Sequence, residues 1–294
     1  MILHFIFLIS LTGWAQDIES LLQELPFPSR IDMDQLQSKS VTQQRNNLQT
    51  TKQLEKVTVG LQGNYQQLGL AKGLGKNYEQ VAAGVSIKHK SEMGKVLAQV
   101  IQVGSSSDKI FRDGRDNFIN ATTIYKPEEK WVYLLSYSNN RSFLNNVPLP
   151  GFIYLKDMER KKVSMYGFPF INIIRTSSNE AFGFRYTTFL PFNHRARIYF
   201  YGLKHVYLFL HYEQWVQNYF DSDRTERQER FFYTYKNASV GLEKSFGPIF
   251  KFDVQFGNGF DRKTFFSRRF SRERRSVQRF KDEIYGSLNL KLLF

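Results

Sequence analysis

At 294 residues the chain is long enough for one large all-β domain or two small ones. Its mean hydropathy of -0.43 is too polar for a bundle of membrane helices, and a cysteine count of 0 excludes thiolate-ligated zinc and thiol catalysis. A formal net charge of +14 leaves nucleic acid, anionic lipid and acidic solutes as partner classes.

Ile2 to Leu11 is an apolar run followed by Thr12, Gly13, Trp14, Ala15 and Gln16. Small residues at 13 and 15 predict a signal peptide over 1–15 with a cut near Gln16, although no Lys or Arg follows Met1. Export sets nucleic acid aside as a partner. Ile18, Leu21, Leu22 and Leu25 fit helical spacing behind Asp17, and Pro26 and Pro28 end that short helix. From Ser29 to Leu54 the chain is rich in Gln, Asn, Ser and Thr, which reads as a flexible periplasmic tail. The expected division is therefore 1–15 signal, 16–55 helix and tail, and 56–294 barrel.

From Lys56 onward the period changes to two. Val57, Val59, Leu61 and Tyr65 alternate with Thr58, Gly60, Gln62, Asn64 and Gln66. After the loop 71–77, Val81, Ala83, Val85 and Ile87 alternate with Ala82, Gly84, Ser86 and Lys88. Ser91 to Gly94 turns the chain into Lys95–Gly104, which is apolar on both faces. A polar loop to Asp116 precedes Asn117–Tyr125, and Lys126–Lys130 turns into Trp131–Ser138. Arg141 to Lys162 reads mostly as loop, with an extended piece at Phe152–Leu155. Val163–Arg175 contains Pro169, which cannot donate to a ladder and predicts a bulge or a ladder end. Strands over Glu180–Leu190, Arg195–Tyr201 and His205–Phe220 follow. In Glu229–Phe246 the outward frame slips between Tyr235 and Ala238, which predicts a bulge near Asn237. Phe250, Phe252, Val254 and Phe256 then alternate with Lys251, Asp253, Gln255 and Gly257. A basic loop leads to Tyr285–Phe294.

That pattern predicts an all-β, antiparallel transmembrane β-barrel of about twelve strands, with ten or fourteen as the neighbouring even counts. Aromatics at 16% suit the two interfacial belts of such a barrel. A secreted β-sandwich is the alternative, and it would have to bury the aromatic faces against a second sheet. Gly286, Leu288, Leu290, Leu292 and the terminal Phe294 share one face. This ending resembles the closing strand of Gram-negative outer-membrane barrels. The resemblance implies that location, with Phe294 as part of the signal read by the barrel assembly machinery. Pro150-Gly151, Tyr166-Gly167-Phe168-Pro169-Phe170 and Phe189-Leu190-Pro191 are similar to a transporter-like family of such barrels whose function is unknown. That resemblance implies barrel and location and brings no catalytic residues.

Inward-facing cations are the first candidate site. Lys88, Arg185, Arg195, Arg197, Lys251 and Lys291 fall on polar faces, and rings of Arg or Lys in a pore favour anions. The competing reading is a lumen filled by ion pairs, with Glu213 and Asp253 as partners. The second candidate is the run Arg262, Lys263, Arg268, Arg269, Arg272, Arg274, Arg275, Arg279 and Lys281, interleaved with Phe265, Phe266, Phe270 and Phe280. At a cell surface such a loop suits lipopolysaccharide phosphates. His89-Lys90-Ser91 is the only nucleophile–base string, and it has no placed third group. No metal or cofactor motif is present. The expected function is a passive channel for small anionic solutes. A structural or surface-binding barrel is the alternative, and a lipid-modifying enzyme is the outsider.

Overall fold

The computed structural model describes residues 29–70, 76–140, 144, 146–156, 164–176, 181–189, 192–203, 206–224, 226, 228–247, 249–268, 270 and 274–293. The expected signal peptide, the helix after Asp17 and the terminal Phe294 lie outside them.

Apart from the last two, each strand pairs antiparallel with the next. The strands are β1 (Arg30–Ser38), β2 (Val41–Leu54), β3 (Val57–Leu70), β4 (Asn77–Lys90), β5 (Val96–Ser107) and β6 (Asn117–Lys126). Then come β7 (Trp131–Ser138), β8 (Leu149–Lys156), β9 (Ser164–Phe168), β10 (Phe170–Thr176), β11 (Phe182–Phe189) and β12 (Asn193–Leu203). The last are β13 (Val206–Tyr219), β14 (Arg230–Phe246), β15 (Phe250–Ser267), β16 (Arg275–Arg279) and β17 (Glu283–Leu293). β15 pairs with β17 from Phe250 to Gly259, and β17 pairs with β1 from Leu293 to Tyr285, which closes a ring of 16 strands. β16 pairs only with the far end of β15, from Lys263 to Phe266, and stands outside the ring.

Sixteen ring strands replace the expected dozen for three physical reasons. The polar tract after Ser29 is not a tail. It forms β1 and β2, whose backbones are fully laddered to β17 and β3 although their outward rows hold Gln35, Gln37, Thr42, Gln44, Asn46 and Thr50. Ile31, Met33 and Leu48 share those outward rows, so the apolar face is present but diluted. The piece at Phe152–Leu155 extends to a complete strand, β8, paired on both sides. At Pro169 the ladder ends, as its missing N–H requires, and the chain reverses: β9 and β10 pair with each other through Tyr166–Ile171 and Met165–Asn172. The bulge expected near Asn237 of β14 falls instead on the partner strand β15, where two residues stand opposite Tyr235. Register shifts between Thr234 and Lys236, opposite Asp261, whose φ of 47° re-aims the chain.

One end of the barrel carries connections 71–76, 108–116, 139–148, 220–229 and 268–274. The other carries the short turns 55–56, 91–95 and 247–249, the start of β1 and the end of β17. These are called the loop end and the turn end. Gly94 and Gly247 occupy positive φ in two of the short turns.

Burial is inverted relative to a water-soluble protein. Leu61, Ile87, Ile101, Leu135, Leu210, Leu242 and Val254 are exposed, while Gln66, Gln102, Asn120, Glu213 and Asp253 are buried. Exposed apolar area on this scale is a surface for lipid. The interior is divided. β5–β9 point Val100, Val132, Leu134, Ile153, Leu155 and Met165 inward. That packing explains why Lys95–Gly104 looks apolar on both faces. β10–β15, β17, β1 and β2 enclose a polar chamber.

Candidate functional site

The chamber has a volume of about 130 Å³ and is walled by β10–β15, β17, β1 and β2. Alternation aims every second residue of these strands inward. Six cations line it: Arg45, Arg185, Arg195, Arg197, Lys251 and Lys291. Five carboxylates face them: Asp32, Asp34, Glu213, Glu243 and Asp253. The formal balance is one positive charge. Sequence reasoning finds five of the six cations. It misses Arg45, because the row Val41, Gln43, Arg45, Gln49 lies in the tract read as a tail. Of the expected set, Lys88 does point inward and is buried, but it stands on β4, away from the chamber wall.

On the β11–β15 side the arginines and the carboxylates stand on different strands, with Lys251 beside Asp253 on β15. Arg185, Arg195 and Arg197 stand on β11 and β12; Glu213, Glu243 and Asp253 stand on β13, β14 and β15. Arg195 lies opposite Glu213 in register and holds it at 2.6 Å. Arg197 reaches Asp253 at 2.8 Å and Glu243 at 3.4 Å, with its guanidinium 4.1 Å from the Phe209 ring centroid. Lys251 holds Glu243 at 2.6 Å. Arg185 has no carboxylate within 4.0 Å among the described residues, and its Nε is buried without a hydrogen-bond partner. Phe170, Phe189, Trp215 and Tyr235 line the part of the chamber toward the loop end.

Above the chamber the mouth is crossed. β13 and β14 lie across the ring from β4 and β5, yet their connecting hairpin reaches those strands. The Phe220 amide donates to the Ser106 carbonyl at 2.9 Å, and Phe220 forms a parallel bridge with Ser107. Tyr78 donates its hydroxyl to Asp221 at 2.6 Å and stacks on Phe231 with centroids 4.1 Å apart. Ser222 donates its amide and its hydroxyl to the Asp108 carboxylate at 2.7 and 2.8 Å. Lys76 Nζ donates to Asp221 and Asp223, each at 2.8 Å. On the other face Asn218 donates to Asn140 Oδ1 at 3.0 Å, and Arg230 donates to the same oxygen and to the Asn139 carbonyl. Below the tip, Gln66 donates to the Tyr219 hydroxyl at 2.6 Å and Arg45 donates to the Tyr235 hydroxyl at 2.9 Å. Val41, Leu68, Leu70, Trp215, Tyr219 and Tyr233 close a buried apolar cluster around them. Hydrogen bonds to charged groups contribute about 1.5–3 kcal/mol each, so this set holds the tip in place by several kcal/mol.

Electrostatics at the tip follows from these contacts. Burial opposes ionisation of Asp108, but the two Ser222 hydrogen bonds and the Lys76 ammonium outweigh it and hold its carboxyl below the usual range. The Lys76 hydrogen bond lowers Asp223 as well. Burial disfavours the Lys76 ammonium, yet its bonds to Asp221 and Asp223 raise it overall.

The basic run after Arg262 is not a free loop. Arg262 and Lys263 belong to β15, and Arg275 and Arg279 to β16. Arg262 turns inward after the bulge and bonds Ser38, the Lys281 carbonyl and Glu283. Lys263 stands near Asp261 at 3.6 Å, Arg268 pairs with Glu226, and Arg275 pairs with Glu229. Arg274 lies over the Phe265 and Phe270 rings at 4.7 and 5.4 Å. Its acidic partners come from elsewhere in the chain, so the run alone overstates the free charge. Arg269 and Arg272 lie outside the described residues.

The His89 string holds no assembled dyad: His89 is exposed on the outward face of β4, and Ser91 Oγ accepts a hydrogen bond from the Lys95 amide in the following turn. Among the described residues no group of three or more His, Asp and Glu is placed to hold a metal ion.

No family model matches the chain, and no curated protein matches it. Solved structures that align with it include the Pseudomonas putida toluene transporter TodX (TM-score 0.38, 10% identity, 96% of this chain and 94% of that one). The CymD monoaromatic hydrocarbon channel aligns with a TM-score of 0.39 at 10% identity over 97% and 94%. The KdgM porin, solved with disordered oligogalacturonate, aligns with a TM-score of 0.31 at 9% identity over 90% and 99%. The barrel assignment stands on the strand pairing and the burial pattern alone.

Proposed function

We propose that the protein is a passive channel for small anionic solutes in the outer membrane of a Gram-negative bacterium, shut at its loop end by the β13–β14 tip. The observation that carries this reading is the chamber itself, a polar cavity inside an apolar-coated barrel with cations concentrated on β11 and β12. A barrel needed only as a scaffold has no use for buried ionic groups at this density, because desolvating each one is costly. The loop end faces outward in this reading, since longer connections mark the extracellular side. Movement of the tip opens the path.

The test is solute uptake by liposomes carrying the refolded barrel, using anionic, neutral and cationic solutes of equal size. Anion preference that falls in an Arg185→Ser, Arg195→Ser, Arg197→Ser triple variant supports the assignment. A folded barrel that admits all three solutes equally, before and after substitution, sinks it.

A second role at the rim is favoured by one observation. Arg274 and Arg279 stand exposed at the loop end with no carboxylate within 4.0 Å among the described residues. Their guanidinium groups suit lipopolysaccharide phosphates. Replacing both by Ser should weaken lipopolysaccharide retention on purification, and unaltered retention counts against this role.

A further inference from the structure

We propose that Arg185 seats the charged end of a small organic monoanion, a carboxylate with an apolar body, and that Phe170 and Phe189 receive that body. The inference rests on the chamber being reachable by solute, as in the channel reading.

Arg195, Arg197 and Lys251 each hold a carboxylate, so their charge is already spent. Arg185 is left without one. Directly opposite it in register is Arg197, another cation, and like charges facing each other across a strand pair destabilise the sheet. Gly183 is two residues away on the same face, and a Cβ there would meet the Tyr201 hydroxyl at 2.5 Å. The absent side chain admits the Tyr201 ring beside Arg185. Arg185 lines the chamber, and its guanidinium fork is suited to a planar carboxylate.

The carboxylates near Arg185 favour a ligand with a single negative charge. Arg195, Arg197 and Lys251 are already paired, which leaves Arg185 as the cation on this wall free to neutralise a ligand's charge. A dianion would meet Glu213, Glu243 and Asp253 on the neighbouring strands of the same wall. The apolar requirement comes from the same face of the same strand. Thr187 and then Phe189 follow Arg185 in the inward row, and Phe170 pairs with Phe189 from β10. Four residues of strand separate Arg185 from Phe189, a span of roughly 13 Å. An aromatic or branched carboxylic acid bridges the two ends better than a short fatty acid or a sugar acid does.

The experiment is equilibrium binding to the detergent-purified full chain, with benzoate, acetate and benzyl alcohol as probes. Benzoate should bind more tightly than acetate, which lacks the body, and than benzyl alcohol, which lacks the charge. Arg185→Gln should weaken benzoate binding by about tenfold or more, and Arg185→Lys should restore part of the loss. Phe189→Leu should lower the benzoate-to-acetate affinity ratio. Arg175→Gln, on an exposed site outside the chamber, should change nothing. Benzoate binding that is indifferent to Arg185→Gln, or matched by benzyl alcohol, overturns the proposal. If Arg185→Gln does not fold, the Lys variant and the Phe189→Leu ratio decide it. Binding and transport fail separately. A barrel that binds benzoate through Arg185 and passes no solute contradicts only the channel reading. One that passes solute while its binding ignores Arg185 contradicts only this seat.

Discussion

At the crossed mouth, Lys76, Asp108, Asp221, Asp223, Asn140 and Arg230 reach across the lumen to strands on the far side of the ring. In the chamber below, Arg195, Arg197 and Lys251 find their carboxylates on nearby strands of the same wall, and Arg185 finds none. The same residue types therefore do two kinds of work. Ties across the lumen hold two distant parts of the ring together and close it. Ties within a wall leave the lumen open and stiffen the surface that a solute meets. The difference shows that a count of inward charges says little about conduction; what matters is whether each charge is matched across the lumen or along its wall.

Breaking the mouth should have the largest effect. Asp221→Ala with Arg230→Ala should raise small-anion uptake by about tenfold or more, since it removes several charged ties at once. A disulfide between cysteines placed at Ser107 and Phe220 should do the reverse, and the absence of native cysteine makes that cross-link clean. Equal uptake by the released, locked and native barrels would erase the distinction between the two regions.

Within the chamber, Arg197→Met should cost about 3–5 kcal/mol, because it leaves the buried Asp253 and Glu243 facing each other without their shared cation. Arg185→Gln should cost no more than about 1 kcal/mol, because no carboxylate depends on it. The temperature at which each variant loses its folded mobility on a gel measures the contrast. Similar losses for both would show that Arg185 is as structural as its neighbour.

Acid should loosen the mouth. Asp108 and Asp223 titrate below the ordinary value of 3.8 in the closed form. Their contribution to closure is complete above that value and is lost as pH falls below it. Uptake should therefore rise as pH drops through about 4 and stay flat between pH 5 and 8. A rise centred near neutrality would contradict the assignment to these carboxylates.

Much of the barrel is legible in the residues, and the illegible parts have physical causes. Period-two rows such as Val57–Tyr65 and Phe250–Phe256 predict the inward and outward faces of β3 and β15 correctly, because lipid demands apolar side chains there. β1 and β2 escape because amides and hydroxyls dilute the apolar residues of their outward rows, Ile31, Met33 and Leu48. β9 and β10 escape because one proline conceals a chain reversal as well as a ladder end. Five chamber cations are readable from alternation, yet their partners are not, since Arg197 and Asp253 are brought together by strand register over a long stretch of chain. The crossing tip gives no local signal. Asp221 to Gln228 reads as one more charged loop, and only the closed ring brings it to Lys76 and Asp108.

The most direct test of the account is the reversal potential of the Asp221→Ala, Arg230→Ala barrel in a planar bilayer under a salt gradient, set beside the native protein. Discrete conductance steps with anion preference, rarer in the native barrel, are the predicted result. A released barrel that is folded and silent, or that conducts with cation preference, would contradict it.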